Sequence, residues 1–306
     1  MPLINRCGGG GGTPQLCGQV ENFTAGVGNL NAILSWTAPI PDEDNSFVGA
    51  RIVRKTGSAP TGIQAGTVVY EGTAHNYTDT GLTAGTTYYY RAFAYNAKKK
   101  YQTAYRVVSL TAMATSPDFA SNTWEQIIEA CQSGSVPDTW VAGDSKTMTV
   151  DGADCQIDII GKGHDTYAAG GTAPLTFQLH DCLNTTYVWQ ATWDDLITKL
   201  PGSIQSAVKP VSKTINNESV SPKLFSLTEN EVFGTKEEAT YAEGTQYTYY
   251  AAGNSKKKRI NDVVSTWWLG SKSNRPTGGR CCVTKNGLIS TATYTLSYGI
   301  AFAFCF

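Results

Sequence analysis

The stretch that most constrains this chain is Tyr298-Gly299-Ile300-Ala301-Phe302-Ala303-Phe304-Cys305-Phe306. At a period of two, Ile300, Phe302, Phe304 and Phe306 share one face while Ala301, Ala303 and Cys305 share the other, so neither face suits water. The run predicts a central strand, and a domain that closes on it. Phe302 and Phe304 of the closing run are expected to be framework of that domain, which also contains Trp267 and Trp268 upstream. The polar, Gly-rich segment between the Trp pair and that strand is expected to run over the surface.

A length of 306 residues is enough for two cores of ordinary size. The 31 Gly and 16 Tyr, with abundant Thr and few charges, favour sheets and turns over helix bundles. A β-rich, two-domain protein is expected. The formal charge of −1 supplies no electrostatic reason for a nucleic-acid partner or an anionic membrane. Lys98-Lys99-Lys100 and Lys256-Lys257-Lys258-Arg259 read as solvated loop tips. With no apolar run of about eighteen residues, membrane insertion is not expected. The opening Met-Pro-Leu-Ile-Asn-Arg-Cys and its five following Gly lack the apolar core of a secretory signal, which leaves a mature form or another route out of the cell, such as lytic release of a phage particle. Eight Cys without a C-x-x-C pair argue against structural zinc. Cys131 and Cys305 sit in apolar patterns, and a mostly reduced chain is expected.

Residues 1–17 read as a Gly-rich arm, disordered alone and ordered only against a partner. Residues 18–115 carry about seven short strand signals, among them Ala32–Trp36, Val48–Val53, Thr67–Tyr70, Tyr88–Tyr95 and Arg106–Leu110, and so predict a sandwich. This segment resembles a fibronectin type III domain. Trp36 stands where that family keeps the Trp of its second strand, and Leu82-Thr83-Ala84-Gly85-Thr86-Thr87-Tyr88 is similar to its tyrosine corner. The resemblance implies that Tyr88 bonds back to the loop backbone and that Tyr88, Tyr90 and Ala92 face inward. There is no Arg-Gly-Asp, so integrin binding is not implied. Tyr95, Tyr101 and Tyr105 near the basic loop read as ordinary exposed aromatics on a spacer.

Residues 116–306 switch period. Trp124, Ile127, Ile128 and Cys131 make one helical face, with Asn122 and Glu125 as a capping box and Gly134 as the stop. Trp193, Leu196, Ile197 and Leu200 predict a second helix stopped by Pro201-Gly202. Strands around them, such as Thr147–Val150 and Cys155–Ile160, make an α+β domain. Ile159 to Tyr167, Ala173 to Leu179, Leu224 to Gly234, Thr266 to Ser271 and Tyr298 to Phe302 resemble a family known only as a domain of unknown function, found in gut bacteria and their phages, over residues 120–306. The Trp-Trp to Tyr-Gly-Ile ending is also similar to the C-type-lectin-like fold of phage tropism proteins and formylglycine-generating enzymes. That resemblance implies that Trp267 and Trp268 are framework and that the ligand-facing surface lies between them and the final strand.

Several residues invite chemistry. His164-Asp165 and His180-Asp181 lack a Gly-x-Ser-x-Gly elbow, a His-Glu-x-x-His helix or a phosphate loop beside them, and read as structural, so no catalytic residue is expected. Cys281 and Cys282, adjacent on a strand, point to opposite faces, one expected in the core and one exposed, which suits no shared copper. Glu229-Asn230 suggests calcium, but Thr228-x-x-Glu231 reads better as a helix cap, so neither metal nor cofactor is expected. What remains is the segment from Ser271 to Arg280 and the hairpin signalled by Asn286-Gly287. Ser273, Asn274, Arg275, Arg280, Thr284, Lys285, Asn286, Thr293 and Tyr294 are the candidate ligand-binding residues.

These readings converge on a non-enzymatic phage virion protein. The arm would contact other virion proteins, the chain would be multicopy or homo-oligomeric, and the C-terminal domain would meet a bacterial surface glycan or protein. The alternatives are a capsid decoration or tail-associated protein with no host ligand, and a bacterial surface adhesin.

Overall fold

The computed structural model describes residues 18–39, 47–102, 106–190, 192–275 and 279–306. The arm at 1–17 with Cys7 and Cys17, and Tyr105, lie outside the described residues. The chain divides into two compact units, Met1–Thr115 and Ser116–Phe306. No helix among the described residues is long and apolar enough to cross a membrane.

The first unit has seven strands: β1 (Glu21–Val27), β2 (Ala32–Thr37), β3 (Phe47–Thr56), β4 (Thr67–Gly72), β5 (Asn76–Asp79), β6 (Thr87–Asn96) and β7 (Arg106–Thr111). They form sheets ordered β1-β2-β5 and β4-β3-β6-β7, the two-layer arrangement that the fibronectin type III resemblance implies. Alternation places Leu34 and Trp36 of β2, Ala50 and Ile52 of β3, and Tyr88, Tyr90 and Ala92 of β6 in one core. Each large apolar side chain buried there contributes about 1.5–3 kcal/mol. Trp36 meets Phe23 and Tyr70 with ring centroids 6.3 and 5.3 Å away. The Tyr88 hydroxyl accepts a hydrogen bond from Thr83 N at 3.1 Å, the bond expected of the corner. Tyr95, read as exposed, is buried at the end of β6 with Lys99 over its ring, while Tyr101 lies half-buried under Arg51.

In the second unit, β8 (Ser145–Val150), β9 (Ala153–Lys162) and β10 (Leu175–Leu179) join Ala303–Cys305 in an antiparallel sheet ordered Ala303–Cys305, β10, β9, β8. Every residue from Ile300 to Phe306 is buried, yet ladder pairing is regular over Ala303–Cys305 alone. The expected central position is corrected. Ala303–Cys305 is the outermost strand of its sheet, and its free edge is covered by bridges from Phe225 to Ala303 and from Lys209 to Cys305. Phe177 of β10 packs between Phe304 and Phe119, at 5.5 and 6.2 Å between centroids, and Trp124 closes the group.

The helices follow the predicted spacing with shifted ends. Trp124–Ser133 starts one residue later than the Asn122 cap requires. Thr123 accepts from Gln126 N, Gln126 returns a bond to Thr123 N, and Gly134 ends the helix at φ 70°. Asn122 instead ties the entry to the unit, accepting from Ser116 N and donating to the Asp118 carbonyl. The stretch after Trp193 is a 3-10 turn over Asp194–Lys199, and Pro201, read as a stop, begins the helix Gly202–Ala207. Proline's missing N–H costs nothing at a helix start, which makes both uses compatible with one sequence. Lys258, read as part of a solvated tip, is buried on the strand Lys258–Ile260 and donates to the Leu179 and His180 carbonyls.

Candidate functional site

A three-stranded antiparallel sheet, Trp267–Lys272, Arg280–Val283 and Ile289–Ala292, carries the segment singled out from sequence. Alternation along it separates two faces. Trp267, Leu269, Cys281 and Val283 point into the main core. Trp268 pairs with Cys282 on the opposite face, where the Trp268 indole donates to the Tyr187 carbonyl at 2.9 Å and packs on Tyr298 at 4.7 Å. Both faces are covered, so Cys281 and Cys282 are both buried, and the expectation that one is exposed is corrected. Burial pushes both thiols up, Cys282 to about 12, and the six described cysteines are all free.

The hairpin that follows Val283 has the register Arg280↔Ala292 to Val283↔Ile289. Its loop is Lys285-Asn286-Gly287, closed by Gly287 N donating to the Thr284 carbonyl at 2.8 Å, with Gly287 at φ 80°. Asn-Gly thus serves a three-residue loop ending in a left-handed Gly rather than a two-residue turn. Lys285 and Asn286 are exposed at this tip and Thr284 is half-buried beside it.

The candidate residues separate into three groups. Ser273, Asn274 and Arg275 turn toward the Glu237–Thr240 segment. Ser273 is buried, the Asn274 amide donates to the Glu237 carbonyl at 3.0 Å, and the Arg275 guanidinium grips Glu238 through two bonds of 2.8 and 2.6 Å. That grip holds the Glu238 carboxyl below its ordinary range. Thr284, Lys285 and Asn286 form the tip. Arg280, Thr293 and Tyr294 make the third group, and Arg280 stacks over Trp189 at 4.0 Å. Residues 276–278 of the segment lie outside the described residues.

Sequence reasoning missed Trp189, which lies far from Arg280 along the chain and carries no local motif. It also missed a buried ionic cluster. Lys213 Nζ lies 2.7 Å from Asp165 Oδ1, 2.6 Å from Glu231 Oε1 and 2.8 Å from the Tyr247 hydroxyl. Tyr247 and Thr176 donate to Asp165 Oδ2, and Glu231 closes a capping box with Thr228 at the helix Glu229–Phe233. Burial opposes the Lys213 charge, but the two carboxylates outweigh it and raise its pKa. Burial likewise opposes ionisation of Asp165, and Lys213 together with the hydrogen bonds from Thr176 and Tyr247 more than offsets it. His164 stacks on Tyr247 at 3.8 Å beside a cleft of about 240 Å³, and burial lowers its pKa. Asp165 is committed to Lys213, Thr176 and Tyr247, and among the described residues no carboxylate hydrogen-bonds His164.

His180 lies in a second cleft of about 390 Å³, with Nδ1 2.7 Å from Asp158 Oδ2, while Asp181 accepts from Arg259 N. The thiols lining that cleft, Cys155 and Cys182, are pushed up by burial, Cys182 to about 12, which disfavours a thiolate nucleophile. The Glu229 carboxylate, weighed above as a calcium ligand, accepts from Glu237, Glu238 and Ala239 N.

Fold and site together define a mostly β-rich chain: a fibronectin type III-like sandwich, then a unit whose covered framework presents polar side chains. A family model described as "Domain of unknown function (DUF6273)" matches residues 178–306, a shorter span than the resemblance from residue 120. No curated protein matches the chain. Among solved structures, the sixth fibronectin type III domain of human fibronectin type III domain containing protein 3 is 19% identical, covering 35% of this chain and 93% of that one, with a TM-score of 0.27. A structure described as the fibronectin type III domain of human fibronectin type III domain containing protein 3 is 18% identical over 37% of this chain and all of that one, with a TM-score of 0.29. A β-1,2-glucanase from Parabacteroides distasonis is 16% identical over 39% of this chain and 15% of that one, at 0.28.

Proposed function

We propose that this chain is a phage virion protein whose second unit attaches the particle to a bacterial surface. In this reading residues 1–17 anchor the chain to other virion proteins, the sandwich is a spacer, and the second unit is a C-type-lectin-like head without catalytic, metal or cofactor chemistry. The observation that supports it is the sheet of Trp267–Lys272 with its hairpin: a framework covered on both faces that holds Lys285, Asn286, Thr293 and Tyr294 exposed. Such an arrangement fixes adaptable polar contacts on a rigid base, which limits the entropy lost on binding. Many copies on one particle would turn weak contacts into avid attachment.

Adsorption of the purified full chain, displayed multivalently on beads, to host cells tests this reading. Arg280→Ala and Tyr294→Ala are expected to reduce adsorption, and Arg275→Ala to change it less, because Arg275 is already engaged by Glu238. Beads that bind no cells, with particle images placing the second unit against neighbouring virion proteins, would leave the decoration role instead.

A further inference from the structure

Lys272 and Arg280 are direct partners in the antiparallel ladder, so their side chains leave the sheet on the same face. Like charges placed opposite each other are destabilising, and neither forms an ion pair among the described residues. Arg275, five residues before Arg280, has Glu238. The guanidinium of Arg280 lies over the ring of Trp189, and Trp189 is itself fixed by its indole N–H donating to the Leu269 carbonyl at 2.7 Å. Arg280 Nε is buried without a hydrogen-bond partner, and Nη1 makes one long bond of 3.3 Å to the neighbouring Gly279 carbonyl. Burial lowers the Arg280 pKa, and the groups that act against it are the Cys281 thiol and the Tyr294 phenol, with no carboxylate among them. A guanidinium seated on a ring, with a second cation beside it and no ion pair among the described residues, suits an oxyanion.

We propose that Lys272, Arg280 and Trp189 form a binding site for an anionic group of a saccharide, a carboxylate or a phosphodiester. Arg280, seated over Trp189, binds the oxyanion through its Nη groups, Lys272 adds charge, and the exposed Thr293 and Tyr294 offer a hydroxyl and a ring face to the adjoining sugar. The site names the ligand chemistry of the attachment reading and rests on it, but it is testable without cells.

The test is calorimetric titration of the full chain with three probes: an oligogalacturonate, a glycerol-phosphate oligomer and a neutral galactose oligomer. At least one anionic probe is expected to bind, weaken as salt rises, and lose at least about tenfold in affinity with Arg280→Ala. Arg280→Lys should fall between, since a point charge replaces a fork. Lys272→Glu, at an exposed position that leaves the fold intact, should also lose about tenfold. The preferred probe assigns carboxylate or phosphodiester. Failure of both anionic probes, equal binding of the neutral one, or indifference to Arg280→Lys and Lys272→Glu overturns the site. Cell adsorption that persists while both probes fail removes this site and leaves attachment standing. Probe binding without cell adsorption removes attachment and leaves the site.

Discussion

Lys213 shows at the scale of one residue what buried charge demands. Its ammonium has Asp165, Glu231 and Tyr247 around it, so three donors meet three acceptors and little of the group reaches water. Lys213→Met strands two buried carboxylates and is expected to cost about 3–5 kcal/mol, read from urea denaturation, with Asp165→Asn added to Lys213→Met recovering part of the loss. Glu71 supplies a pH test in the first unit. The hydrogen bond from Lys99, aided by Arg51 and Tyr101, lowers its pKa from 4.5 to about 2. A depressed folded-state pKa means that the contribution is complete above the ordinary carboxylate range and fades as pH falls from about 4.5 toward about 2. The stability gap between wild type and Glu71→Gln should close over that window; a gap constant with pH would contradict the pairing. Single residues differed sharply in how well the sequence announced them. Tyr88 stood in a motif whose hydrogen bond is local, five residues back to Thr83. Lys213 had partners 18 and 34 residues away, and no spacing rule connects such positions.

Elements were legible where their signal is periodic or capped, and less so where a tertiary contact sets their ends. The helix face from Trp124 to Cys131 and the Thr228 capping box follow from local chemistry. The closing strand does not: seven buried residues yield three regular ladder residues because the chain must bend to let Leu183 and Leu179 bond the Ile300 and Phe302 carbonyls. Trp189 escaped because a lone Trp in a short extended stretch has no pattern; only the fold brings it under Arg280. Packing between elements is also close at the junction before the closing strand. A Cβ at Gly299 would stand 2.6 Å from Cys182 Sγ and 3.2 Å from Ile260 Cδ1, while Gly299 bridges Trp267 and its carbonyl accepts from Trp268 N. Gly299→Ala is therefore expected to destabilise the second unit by about 1–3 kcal/mol, with Cys182→Ala relieving part of it in the double variant. Equal stabilities of wild type and Gly299→Ala in urea would show that the strand and the Cys182 segment separate more easily than the packing indicates.

Over the whole molecule, two hydrophobic clusters with no shared residue follow the division at Thr115 and Ser116. Apolar burial is the main favourable term in folding, so cooperativity should follow the clusters. Trp36, Tyr88 and Tyr90 belong to one; Trp267, Phe302 and Phe304 belong to the other. Calorimetric melting of the full chain is expected to resolve two transitions. Tyr88→Phe, which removes the acceptor for Thr83 N, should lower one of them by an amount equivalent to about 1 kcal/mol. Lys213→Met should lower the other and leave the first in place, since every partner of Lys213 lies in the second unit. Substitutions in two cores that share no residue and no partner are additive, so the double variant should show both shifts at their single-variant sizes. A single transition moved by either substitution, or a double variant whose shifts fall short of the sum, would show the two cores melting as one cooperative body.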